Sequence, residues 1–138
     1  MMQSNEESDT MAAWREAWLY LNLLMKGSKL PTYIKYSVGE DLLRDMMGVG
    51  KRLDLANRIG KQRPYKAREL VQQASDLYDQ VKFQVNQITD AGYIPSSRQE
   101  EKDMLLPKRS REHLSKLMDS FGRYLGVWLK NVQTVGNR

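Results

Sequence analysis

The chain has 138 residues and no cysteine, which excludes disulfide and thiol chemistry and gives one domain long enough to bury a core without staples. Its net charge of +5 points towards an acidic or polyanionic partner. The opening MMQSNEESDT is acidic and polar, unlike a secretory leader, and no apolar run approaches the ~20 residues needed to span a bilayer. The expectation is a soluble cytoplasmic protein without membrane association.

Residues 1–9 read as an acidic, disordered N-terminus. A first helix is expected over 10–26. Met11, Trp14, Trp18, Leu21 and Met25 recur there at helical spacing, Ser8, Asp9 or Thr10 can cap it, and Gly27 can stop it. A membrane-surface helix could also carry Trp14 and Trp18 on one face. The acidic setting argues against that and for core packing.

A second helix is expected over 36–59, with Val38, Leu42, Val49, Leu53 and Ala56 as its stripe, Met46 at the edge and Gly60 as the stop. At 100° per residue, Leu43 and Met47 fall on another face, so this helix carries more apolar surface than one core contact needs. A third helix is expected over 64–91. Pro64 fits its first turn, Leu70, Ala74, Leu77, Val81, Val85 and Ile88 form the stripe, and Gly92 with Pro95 ends it. Residues 93–110 form a connection. The fourth helix is expected over 111–133, with Leu114, Leu117, Met118, Phe121, Leu125, Trp128 and Val132 as its stripe, and 134–138 is a tail. No segment alternates like a strand. Four amphipathic helices predict an all-α, up-down-up-down four-helix bundle.

Catalytic chemistry is missing. The single histidine, His113, has Ser110 where a Glu-x-x-His pair would need an acid. Gly48-Val49-Gly50 lies inside a helix and lacks the Lys-Ser/Thr of a phosphate loop. The acidic pairs Glu6/Glu7 and Glu100/Glu101 lie in polar stretches, without the burial that raises a carboxyl pKa. The chain reads as a non-enzyme with no catalytic residue, metal or cofactor.

Charge is segregated along the chain. Residues 51–68 hold seven bases and one acid, and residues 108–138 hold seven bases and two acids. Lys51, Arg52, Arg58, Lys61, Arg63, Lys66 and Arg68 surround the turn between the second and third helices. Lys108, Arg109, Arg111 and Lys116 open the fourth. In an up-down bundle these clusters fall at opposite ends. Neither has an aromatic platform, although Tyr65 lies within the first. Salt-sensitive, sequence-independent phosphate contacts are therefore expected. The fourth helix also carries Gly122 and Gly126, each costing roughly 1 kcal/mol of helix propensity against alanine. They lie on one flank with Ser115, where another backbone could approach. With the surplus apolar Leu43 and Met47, they predict a homo-oligomer.

The stretch EHLSKLMDSFGRYLGVWLKN, residues 112–131, resembles the accessory variability determinant (Avd) proteins of diversity-generating retroelements, most specifically in Gly122-Arg123, Leu125-Gly126 and Trp128-Leu129. LPTYIKYSVGEDLLRDM, residues 30–46, is similar to that family's entry into its second helix. ARELVQQASDLYDQVKFQVNQITDAGYI, residues 67–94, is similar to its long third helix. The acidic first ten residues match nothing in the family, and the 93–110 connection is longer than the family's. The resemblance implies a four-helix protomer of a homopentameric ring with a basic surface. It also implies a partner of the element's reverse transcriptase that binds template RNA, or DNA, and supports mutagenic cDNA synthesis. A sister group, encoded by intervening sequences in ribosomal RNA genes, shares the fold. Its second helix carries an Asn-Ile-Ala-Glu-Gly-like turn, where this chain has MGVGKRLDLANRIG, residues 47–60. The remaining alternative is an oligomeric scaffold that binds only protein.

Overall fold

A computed structural model describes residues 2–27, 30, 32–89 and 106–136, with side chains within 9–133. Helix α1 is Met2–Gly27. A short α2, Thr32–Ile34, runs through a π-helical turn, Lys35–Gly39, into α3, Glu40–Ile59, as one unbroken rod. Helix α4 is Pro64–Thr89 and α5 is Lys108–Gly136. There is no strand among the described residues. The fold is an all-helical bundle.

Contacts fix the direction of each rod. Trp14 lies against Gly50 and Met25 against Gly39, so α1 and α3 are antiparallel. Leu77 lies against Gly48 and Gln84 bonds Asp45, so α3 and α4 are antiparallel. Tyr78 bonds Met118 and Gln133 bonds Gln72, so α4 and α5 are antiparallel. Helix α1 also packs on α5, closing the cycle. One end of the bundle holds the amino end of α1, the α3–α4 turn and the carboxyl end of α5. The other holds the α1–α2 connection, the end of α4 and the start of α5.

The core follows the expected stripes closely on three rods. Leu42, Val49, Leu53 and Ala56 are buried on α3, and Met46, expected at the edge, sits at the centre of that face. On α4, Leu70, Ala74, Val81, Val85 and Ile88 are buried. Tyr78 joins them, while Leu77 is half-buried. On α5, Leu114, Met118, Phe121, Leu125 and Trp128 are buried, with Leu117 and Val132 at the margin.

Helix α1 departs from expectation. Its buried face is Ala13, Ala17, Leu21, Leu24 and Met25, while Met11, Trp14 and Trp18 are only half-buried. Two alanines let α1 approach closely, and the tryptophans are turned to the α3 side. There the Trp14 indole N–H donates to the Met46 carbonyl at 2.9 Å, and the two indoles stack with centroids 5.8 Å apart. A Cβ on Gly50 would fall inside the Trp14 ring, which explains a glycine in mid-helix.

Boundaries move as well. Helix α1 begins at Met2, not at residue 10. No proline or glycine interrupts residues 2–9, so no helix breaker separates them from the stripe that starts at Met11. The second rod begins at Thr32, not 36, and contains the π turn. A Cβ on Gly39 would lie 2.9 Å from the Met25 sulfur and 3.3 Å from the Ile34 carbonyl oxygen, so a larger residue where α1 meets this turn would have to push the Met25 side chain aside. Helix α5 begins directly after Pro107, whose carbonyl accepts from the Arg111 backbone N–H at 3.0 Å, and it continues through the expected tail to Gly136. Residues 90 and 91, Gly92, Pro95 and most of the 93–110 connection lie outside the described residues.

Candidate nucleic-acid interface

The α3–α4 turn is short and tightly held. Gln62 and Arg63 backbone N–H groups both donate to the Ile59 carbonyl, at 3.1 and 2.8 Å. The Ala67 N–H then donates to the Arg63 carbonyl at 3.0 Å, starting α4 with Pro64 in its first turn, where no N–H is missed. This geometry leaves Lys61 and Arg63 exposed at the bundle end, flanked by Arg58 at the close of α3 and by Lys66 and Arg68 on the first turns of α4.

Two ion pairs cross this surface, Arg58 with Asp54 at 3.2 Å and Lys66 with Glu69 at 3.4 Å. Both are largely exposed, so each contributes little to stability and leaves its cation open to a second anion. Lys51 and Arg52 stand apart from this group. They lie seven or eight residues before the end of α3, about 11–12 Å down the rod. Arg52 is half-buried and donates to the Gly48 carbonyl at 3.1 Å.

The second cluster lies at the other end of the bundle, as the topology predicts. Helix α4, which spans the distance, is about 39 Å long. Lys108 and Arg109 are exposed there, with Lys108 3.9 Å from Glu112, while Lys116, also exposed, lies about 12 Å down α5. Arg111 is different. It is half-buried, and its Nε donates to the Leu106 carbonyl at 3.1 Å, pinning the entry to α5. Sequence reading missed Lys26, Lys35, Tyr33 and Tyr36, which the α1–α2 connection and the π turn bring to this same end, with both tyrosines exposed.

The residues expected at an oligomer contact are scattered. Leu43 packs on the core margin and Met47 is half-buried. A Cβ on Gly122 would make ordinary contact with the Tyr78 ring at 3.5 Å, while one on Gly126 would meet nothing within 4 Å. Surplus apolar surface lies elsewhere, at Leu19 and Leu23 on α1 and at Tyr124 and Val127 on α5. Helical spacing puts Leu19 and Leu23 one turn apart. Counting along the core stripe alone leaves out residues on the opposite face.

Among the described residues, no group of three or more histidine or acidic side chains could hold a metal ion. His113 is exposed and meets the Tyr20 ring edge-on at 4.5 Å. No described helix is long and apolar enough to cross a membrane. No family model, curated protein or solved structure matches the chain.

Proposed function

We propose that this chain is a non-enzymatic accessory protein of a diversity-generating retroelement, binding the element's reverse transcriptase and its template RNA in the cytoplasm. The observation that carries this reading is the bundle end formed by Arg58, Lys61, Arg63, Lys66 and Arg68. Five cations gather there around a turn of four residues, with two acids paired among them. Such a surface suits a phosphate backbone. The likeness of residues 112–131 to the Avd pattern supports the specific role.

In this reading the protomers form a homo-oligomeric ring, a pentamer by that likeness. A ring presents the same basic end several times, and effective concentration then multiplies weak single contacts. The exposed pairs Leu19/Leu23 and Tyr124/Val127 are surfaces that assembly would cover.

Exchanging Lys61, Arg63, Lys66 and Arg68 for glutamate tests the basic end. RNA affinity is expected to fall at least a hundredfold at moderate salt, with the helical circular dichroism unchanged. Unaltered affinity would remove this end from the interface. Gentle recovery of the tagged protein from its own cells tests the role: a reverse transcriptase with a discrete non-coding RNA is the expected yield. Ribosomal RNA in its place would assign the chain to the intervening-sequence group.

A further inference from the structure

Beside the basic turn, α4 and α5 enclose an open groove of about 390 Å³ lined by Tyr65, Arg68, Glu69, Gln72, Gln73 and Gln133. Its size falls within the range of small-molecule sites, and its lining combines an aromatic ring, three amides and one charge of each sign. Tyr65 lies on the first turn of α4, about two-thirds exposed, and among the described residues no other ring stacks on it. Three glutamine amides line the same groove. Gln133 Nε2 donates across the helices to Gln72 Oε1 at 3.3 Å, and Gln72 Nε2 donates to Asp76 at 3.0 Å. Gln73 Nε2 donates to Glu69 Oε1 at 3.4 Å, while the other Glu69 oxygen is 3.4 Å from Lys66 Nζ.

We infer that this groove is a base-binding subsite, which takes one unstacked nucleobase of a single-stranded RNA whose phosphates lie on the adjoining basic turn. The inference rests on the nucleic-acid reading above and goes beyond it, because phosphate contacts alone carry no base recognition. Each part of the groove matches one part of a nucleotide. A flat aromatic face at the mouth stacks a base, a contact available to every base because each has a π-face. Amides offer a donor and an acceptor on one side chain, the combination that pairs with a base edge, and a carboxylate accepts from exocyclic amino groups. Arg68, a half-buried residue of the lining, supplies a planar cation for the phosphate or for stacking. The amides are already linked to neighbours, so less ordering remains to be done on binding. Double-stranded RNA would not fit this chemistry, since its base faces are stacked and its deep, narrow major groove keeps side chains from the base edges.

Binding of a single-stranded RNA oligonucleotide is compared with that of an abasic oligonucleotide of the same length and phosphate count, across a salt series. The wild-type protein is expected to bind the base-bearing strand at least about tenfold more tightly, with the same salt slope for both. Tyr65→Ala should erase that difference and leave the slope unchanged. Tyr65→Phe, which keeps the ring, should retain it. The exposed position of Tyr65 makes either variant safe for the fold. Equal wild-type affinity for the two strands would overturn the subsite and leave the phosphate surface standing, as would full discrimination by Tyr65→Ala. Failure of the wild type to bind either strand would overturn the subsite together with the nucleic-acid function.

Discussion

Among the seams of this bundle that carry glycine, two are finished differently. Between α1 and α3 the space left by Gly50 is filled by the Trp14 ring, and Gly39 admits the Met25 sulfur. Between α4 and α5, Gly122 is only brushed by Tyr78, and Gly126 faces open space. The first seam explains its glycines within one chain. The second does not, because a side chain at 126 would collide with nothing and the helix would gain from it. The contrast separates a glycine that packing within the protomer uses from one that it does not.

The largest effect is expected at the closed seam. Gly50→Leu must displace the Trp14 indole and its hydrogen bond to Met46, and should destabilise the fold by about 3 kcal/mol in urea unfolding. A smaller loss is expected from Tyr78→Phe, at the base of the open seam. The Tyr78 hydroxyl donates to the Met118 carbonyl at 2.6 Å, and the ring meets Phe121 edge-on at 4.8 Å. Removing the hydroxyl should cost about 1 kcal/mol at neutral pH.

The same variant has an alkaline signature. Burial, reinforced by the Asp119 and Asp79 carboxylates, pushes the Tyr78 phenol well above its ordinary value. The folded chain keeps this proton where the unfolded chain releases it. Stability from this group is therefore complete below pH about 10 and falls as pH rises further. Tyr78→Phe should flatten that fall, which unfolding at a series of alkaline pH values will measure.

The smallest effect has the opposite sign. Gly126→Ala should raise protomer stability by up to about 1 kcal/mol, because the new methyl meets nothing and the helix improves. If a second copy closes on this flank, the bulkier Gly126→Leu will lower the mass measured in solution. A wild-type mass would make the glycine incidental to assembly.

Much of this fold was legible in the sequence, for reasons that particular residues make plain. Gly60 and Pro64 bracket a turn that leaves little freedom, so the ends of α3 and the start of α4 fall where they were expected. The same turn is why the basic cluster at the bundle end could be located. Lys51 and Arg52 were grouped with it because they are near in sequence, yet a helix advances 1.5 Å per residue and carries them down the rod. Helix α1 was centred on its largest apolar residues, whereas close packing put Ala13 and Ala17 inside and left the tryptophans at the margin. The glutamine groove was out of reach. Gln72 and Gln133 are 61 residues apart, and nothing in either local pattern marks them as neighbours. The π turn was equally hidden, since the Met25 sulfur that packs on its Gly39 comes from another helix.

The cyclic order of the rods also bears on how the chain comes together. Helices α3 and α4 are joined by four residues and can zip from the Ile59–Arg63 turn with little loop entropy to overcome. The contact of α1 with α5, where Tyr20 meets His113, encloses about two-thirds of the chain between its partners. Local pairings set the pace of helical bundles. That places the α3–α4 hairpin early on the folding route, with α1 able to pair on α3 across an equally short connection, and makes the α1–α5 seam the last to close.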